Sequence, residues 1–178
     1  MPESFQLIAA AAEHQSVILQ LQREYFAWIM QHIEQDLGIH PQALLGMTVD
    51  AYIQQMQAEL CVHTPPEHWF YLIRHEDQFT GTAGMRRLAN GDFEIKRVYL
   101  QTAVRGKGVA AIVLRDLIQQ ARAQGAQRIC LDTGPFMQAA QQLYRHLGFT
   151  PCTAYPGSEV PPVLAPHWMF MALDCRAG

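Results

Sequence analysis

Charge is scarce in this chain of 178 residues, with 16% Asp, Glu, Lys and Arg together and a formal balance of -3. That balance gives no support to a nucleic-acid surface, which would show a basic stripe, so no nucleic acid is expected as a partner. A slightly acidic surface favours, if anything, a cationic acceptor. Long hydrophobic runs are missing too. The longest uncharged run near the end, Val160 to Leu173, holds three prolines and His167 and cannot span a membrane, so no membrane partner is expected. Met1-Pro2-Glu3-Ser4 has neither a basic region nor an apolar run, so no secretory signal is expected. Cysteine is limited to Cys61, Cys130, Cys152 and Cys175, with no C-x-x-C pair, which fits a reduced, cytoplasmic protein. Cys130 sits in an apolar strand pattern and reads as a buried thiol. Only three serines occur, none in G-x-S-x-G, and G-x-x-x-x-G-K-[ST] is absent, which removes a serine hydrolase and a Walker A loop. Cys61-x-His63 with His68 and His75 matches no zinc spacing, so no metal is expected. Repeats and interdomain linkers are also lacking. The 49% apolar fraction then fits one soluble domain over residues 1–178.

What is present falls into an ordered series of elements. Phe5, Leu7 and Ala9 alternate as a short strand. From Glu13 to Leu37 apolar residues recur at helical spacing, through Val17, Leu21, Tyr25, Trp28, Ile29 and Ile33, until Gly38 and Pro41 stop the helix. The cluster Tyr25, Phe26 and Trp28 reads first as core packing and second as an acceptor contact. Val49 to Leu60 reads as a second helix. Strands follow at Trp69–Arg74 and Gln78–Leu88, the latter interrupted by Gly81 and Gly84. Asn90-Gly91 is a hairpin signal, so the strand Phe93–Leu100 should run antiparallel to its predecessor. Arg86, Arg87, Lys96 and Arg97 read as a solvated face.

The stretch from Phe93 to Phe149 organises the rest. After its strand comes the loop Gln101–Lys107, then a helix from Gly108 to Gln124, a strand Arg128–Asp132 and a helix Phe136–Leu147. The helix between the two strands makes them parallel. In Val104-Arg105-Gly106-Lys107-Gly108-Val109-Ala110, two glycines let the backbone approach a ligand, and the loop opens directly into a helix. Free N–H groups and the positive end of the helix dipole make that an anion site, reinforced by Arg105 and Lys107. It reads as a pyrophosphate cradle. Beyond it, Phe149–Ala154 and Trp168–Leu173 read as the last strands, joined by a proline-rich loop from Pro156 to Pro166.

These residues resemble the GNAT superfamily of N-acetyltransferases. The likeness runs from Glu94-Ile95-Lys96-Arg97-Val98-Tyr99-Leu100 through the Q/R-x-x-G-x-G/A signature, here Arg105 to Ala110. It continues to A-x-x-L-Y-x-x-x-G-F, here Ala140, Leu143, Tyr144, Gly148 and Phe149. It covers about a third of the chain. The resemblance implies a mixed α/β fold: a mostly antiparallel central sheet flanked by helices, with a splayed parallel strand pair at the cofactor site. It implies acetyl-CoA as co-substrate, no metal, and direct transfer of the acetyl group to an amine in a ternary complex, the acceptor being a small molecule or a peptide. Backbone groups of Val98, Tyr99 and Leu100 would receive the pantetheine arm like an added strand, and those of Arg105, Gly106, Lys107, Gly108, Val109 and Ala110 the pyrophosphate. The Leu100 N–H would polarise the thioester carbonyl. Tyr144 would protonate the leaving thiolate, its other reading being a core tyrosine. Glu94, placed on the same face as Val98 by the period of two, would be the base, its other reading being an exposed charge. Met137 stands where relatives carry an asparagine. A homodimer, common in the family, would use Trp168 or Phe170. Two other functions fit part of the pattern. One is a non-catalytic acyl-CoA-binding module. The other is an NAD(P) oxidoreductase using Gly106-x-Gly108-x-x-Ala111 with Asp132 on the ribose, although Gln101–Arg105 lengthen the loop and further βαβ units are missing.

Overall fold

The computed structural model describes residues 5–60 and 62–176. Seven strands form one sheet: β1 Phe5–Ala9, β2 His68–His75, β3 Gln78–Arg87, β4 Phe93–Leu100, β5 Arg128–Thr133, β6 Thr150–Cys152 and β7 Met169–Asp174, in the order β1-β2-β3-β4-β5-β7-β6. Every neighbouring pair is antiparallel except β4 and β5. The mixed α/β architecture expected from the sequence is therefore the one observed.

Helices cover both faces. On one, α5 Val109–Ala123 and α6 Gln138–His146 lie over the sheet. Val113, Leu114, Leu117 and Ala121 pack there onto Met85, Phe93, Ile95, Ile129, Leu131 and Met171. Fully burying a side chain of that size is worth about 1.5–3 kcal/mol, so this cluster fixes the angle between α5 and the strands beneath it. The opposite face carries α1 Gln15–Leu37, α2 Pro41–Leu45, α3 Val49–Gln55 and the short α4 Gln57–Leu60. Ile18, Leu21 and Ile53 meet Phe70 and Leu72. Farther along, Ile29, Met30 and Ile33 meet Leu164 with Phe136, Met137 and Trp168, so α1 bridges from β2 to the connection between β6 and β7.

Several details depart from the sequence reading. The single helix expected from Val49 to Leu60 is broken at Met56, whose φ of -81° and ψ of -3° close α3. Pro41, read as a stop, also starts α2, because a proline at the first turn needs no N–H partner and the His40 ring accepts from Gln42 N. Phe170 is buried rather than free for a dimer contact, and Trp168 is half-buried. The largest departure is in β4. Its pairing with β3 slips between Thr82 and Gly84, and Arg97 has a φ of +56°, so the strand carries an extra residue. Lys96 and Arg97 thus share a face, and every later side chain changes sides. Val98 and Leu100 pack with Phe93 and Ile95 under α5, whereas Glu94 and Tyr99 lie on the α1 side. Glu94 and Val98 are on opposite faces, not the same one. The fully buried Gln22 of α1 pins this bulge by donating to Thr82 Oγ1 at 2.9 Å, which in turn donates to Arg97 O at 3.0 Å.

Candidate active site

The bulge and the single parallel pair together open the sheet. β4 and β5 are paired only at Phe93 with Ile129 and at Glu94 with Cys130. Beyond that they diverge, leaving one side of β4 without a strand partner. Tyr99 is registered with Thr82 and Gln101 N donates to Thr80 O, so the alternation of an antiparallel ladder turns the backbone groups of Leu100 away from β3. The Leu100 carbonyl accepts instead from Arg105 Nε at 2.8 Å. The Arg105 guanidinium also lies 5.9 Å from the Trp28 ring centre and 5.8 Å from that of Tyr99, which ties the loop to α1.

At the end of β4 a 3-10 turn, Thr102–Val104, leads into Arg105-Gly106-Lys107-Gly108, all exposed. Gly106 and Gly108 both have φ of +78°, a conformation that side chains disfavour, and a Cβ on either would enter open space. Gly108 is the N-cap of the 15-residue α5. The Arg105 N–H is already engaged by Thr102 O, so the first-turn amides of Val109 and Ala110 and the two glycines are the donors left for an anion. Val109 is buried, so only its backbone is open to a ligand.

On the α1 side of the opening, three strands and one loop bring charges together. Glu94 is 2% exposed, so the alternative of an exposed charge is corrected. Its Oε2 receives Arg86 Nε at 2.5 Å and lies 3.9 Å from Lys96 Nζ. Arg86 also reaches Glu159 Oε1 at 2.6 Å and Gly157 O at 2.8 Å, and Lys96 pairs with Glu159 Oε2. Arg86, Lys96 and the half-buried Arg97 therefore form no solvated face, which corrects that expectation for them. They latch the proline-rich loop onto β3 and β4. Burial pushes the Lys96 ammonium down, with the Arg97 charge adding to it. The Tyr155 hydroxyl, from the same loop, lies 2.8 Å from Glu94 Oε1 and 3.3 Å from Asp132 Oδ2. Trp168 Nε1 donates to Asp132 Oδ1 at 2.9 Å.

Asp132 lies two residues beyond the last β4–β5 pair. Burial and then the Glu94 charge push its carboxyl up to about 6. Two phenols share its field. Tyr25 of α1 is pushed up to about 12, by burial first and the Asp132 charge second. Tyr144 of α6 is raised by burial, then by Tyr25 and Asp132. Tyr144 is 8% exposed and set edge-on to Phe149 at 6.0 Å, so its ring is core while its hydroxyl belongs to the same electrostatic cluster.

The residues fit the expected co-substrate on an observation independent of any motif. Thr133 Oγ1, in the last residue of β5, is buried and has no hydrogen-bond partner. A hydroxyl left so costs about 1–3 kcal/mol, which a ligand lying between β4 and β5 would recover. The substitution Thr133→Val should therefore raise the melting temperature of the free protein and weaken acetyl-CoA binding about 5- to 10-fold. Parallel thermal and calorimetric titrations check this, and a variant less stable than the parent would contradict it. Met137 packs against α1 in the apolar cluster and offers no polar group where relatives carry asparagine. Gln141 is buried nearby and donates to Gly134 O at 2.8 Å. Asp132 entered the sequence reading only as a ribose partner, and Tyr155, Trp168 and Thr133 were not linked to the site at all. Their signal, polar residues flanking an apolar strand and an irregular loop, gains meaning only when the sheet assembles. The dinucleotide reading is not favoured, since the sheet has a single parallel pair. Among the described residues no cluster of His, Cys, Asp and Glu could hold a metal; His63 and His68 contact backbone carbonyls, and Cys61 lies outside the described residues.

Comparison with known proteins agrees with this geometry. The model of the acetyltransferase (GNAT) family matches residues 22–149. Over 108 residues the chain is 32% identical to the uncharacterised N-acetyltransferase YjgM of Escherichia coli, covering 56% of this chain and 65% of that protein. It thus spans just under two thirds of that relative's length. Among solved structures, the PaiA N-acetyltransferase of Thermoplasma acidophilum in complex with coenzyme A superposes with a TM-score of 0.71 at 14% identity, covering 96% of this chain and 99% of that one. A GNAT-family acetyltransferase of Staphylococcus aureus gives 0.69 at 16% identity, covering 96% and 99%. From Gln22 of α1 through the splayed strands to Phe149, this chain is a member of the acetyltransferase (GNAT) family.

Proposed function

We propose that this protein is an acyl-CoA-dependent N-acetyltransferase that moves an acetyl group from acetyl-CoA to a primary amine by direct attack in a ternary complex. The observation that carries the reading is the opening between β4 and β5, with the glycine loop at its outer end and carboxylates and phenols around its inner end. Bound there, acetyl-CoA supplies the activated acetyl group. The chain's own groups do the rest. Gly106, Lys107, Gly108 and the first turn of α5 hold the pyrophosphate, and Val98, Tyr99 and Leu100 the pantetheine arm. The Leu100 N–H, turned away from β3, polarises the thioester carbonyl. A carboxylate at the opening, Glu94 on β4 or its neighbour, accepts the amine proton. Tyr144, kept protonated by burial, gives its proton to the leaving sulfur. Burial pushes the Cys130 thiol up to about 11, which leaves this residue little thiolate for a covalent acetyl-cysteine route. The acceptor is a small molecule or a peptide terminus.

The test is release of free CoA from acetyl-CoA in the presence of spermidine, tyramine, L-lysine and an alanyl peptide, each separately. Tyr144→Phe should lower kcat about 100-fold on whichever amine is used, with CoA affinity unchanged. A variant that keeps full turnover ends the acid role. A protein that binds acetyl-CoA and acetylates none of these amines is better read as a binding module.

A further inference from the structure

Two carboxylates from adjacent strands share one phenol at the opening of the sheet, and their surroundings differ sharply. Glu94 faces Arg86 of β3 and Lys96 of its own strand, both close enough to pair. Asp132 faces Tyr155 and Trp168 from the β6–β7 connection, Tyr25 from α1 and Tyr144 from α6. Among the described residues no Lys, Arg or His lies within ion-pair distance of Asp132, and Lys96 acts on it only at longer range. Tyr155 has one hydroxyl proton. At 2.8 Å from Glu94 Oε1 and 3.3 Å from Asp132 Oδ2, it favours Glu94 and leaves Asp132 with one short donor, Trp168 Nε1 at 2.9 Å.

We propose, building on the acetyltransferase reading, that Asp132 is the group that takes the proton from the attacking amine, with Glu94, Tyr155 and Trp168 as positioning residues that hold it in place. The amine N–H bond breaks as an O–H bond forms on Asp132, and the nitrogen keeps the electron pair that makes the new C–N bond. Tyr144 gives its proton to the leaving sulfur. Asp132 then releases its proton to water, and Tyr144 regains one. Two carboxylates thereby take two roles, set by what faces each: Arg86 and Lys96 face Glu94, and the Glu94 charge raises the proton affinity of Asp132.

The sign of the pH dependence follows. The Asp132 carboxyl is raised to about 6, above its unfolded value, so the native state binds its proton more tightly than the unfolded chain does. Its contribution to stability is present at low pH and is lost as pH rises through about 6. The experiment is a carbon-13 NMR titration of protein labelled at the Asp carboxyl, with the Asp132 signal identified by its loss in Asp132→Asn. In the parent the signal should titrate near 6. In Glu94→Gln it should move to lower pH, because the neighbouring negative charge has gone. Asp132→Asn should melt at higher temperature than the parent at pH 8, the gap closing toward pH 4. With an amine from the panel above, Asp132→Asn should lose about 100-fold or more in kcat, and Glu94→Gln should lose less while the acidic limb of its pH–rate profile moves downward. Titration of Asp132 in the ordinary range near 4, or an unmoved signal in Glu94→Gln, overturns the proposal. So does full turnover by Asp132→Asn. If none of the amines is acetylated, the acetyltransferase reading has failed while the titration still stands or falls on its own.

Discussion

Gly108→Asp should abolish useful acetyl-CoA binding while leaving the protein folded. Gly108 is the N-cap of α5 with φ of +78°, and any Cβ there enters the open space in front of the helix. Aspartate is among the residues that tolerate this conformation, at a cost of roughly 1 kcal/mol, and it is favourable at a helix N-terminus. Its carboxylate, however, occupies the place of the pyrophosphate. At about 5 Å and an effective dielectric near 20, one pair of like charges costs about 3 kcal/mol, or two orders of magnitude in affinity. Calorimetric titration with CoA measures it, with Gly108→Ala as the uncharged control that should lose far less. Binding of CoA to Gly108→Asp as tight as to the parent would remove the loop from the site.

Gly81→Ala should damage both fold and site. Gly81 lies in β3 opposite Leu100, and a Cβ on it would stand 2.3 Å from the Tyr99 carbonyl oxygen and 2.9 Å from Leu100 Cδ2. The first of these is backbone and cannot swing aside, so β3 and β4 must part where β4 turns toward the opening. Overpacking against main chain belongs with the larger single-residue effects, about 3 kcal/mol or more, which lowers the melting temperature of a domain this size by about 10 °C. Gly84→Ala is the internal comparison: its tightest contact, the Lys96 carbonyl at 3.2 Å, needs a shift of tenths of an ångström and should cost about 1 kcal/mol. A Gly81→Ala protein that melts with the parent would contradict the register of β3 on β4.

The loop-to-helix half of the candidate site was legible in the sequence because its conformation is local. Gly106, Gly108 and the apolar face of α5 follow one another in the chain, and their meaning depends on backbone conformation alone. The other half was not legible. Asp132 and Tyr155 are distant in sequence and meet only because β7 enters the sheet beside β5 and carries the loop with it. The face on which Glu94 lies was misread relative to Val98 for a different reason: a period of two assumes an unbroken strand, and the bulge at Arg97 has no signature of its own in Lys96-Arg97-Val98. The helical elements before β2 were legible in kind but not in their breaks, since Met56 closes α3 through tertiary packing rather than through a helix-breaking residue.

The position of β7 has a consequence for how the molecule comes into being. This strand lies between β5 and β6, both of which precede it in the chain. Residues up to Phe149 include both splayed strands, the glycine loop and Tyr144. A growing chain therefore holds the whole splayed pair before Trp168, the donor to Asp132 Oδ1, has been made. Asp132 stays without its indole partner until β7 enters between two strands that precede it in the chain. The contact from Trp168 to Asp132 is thus among the last that the chain can make.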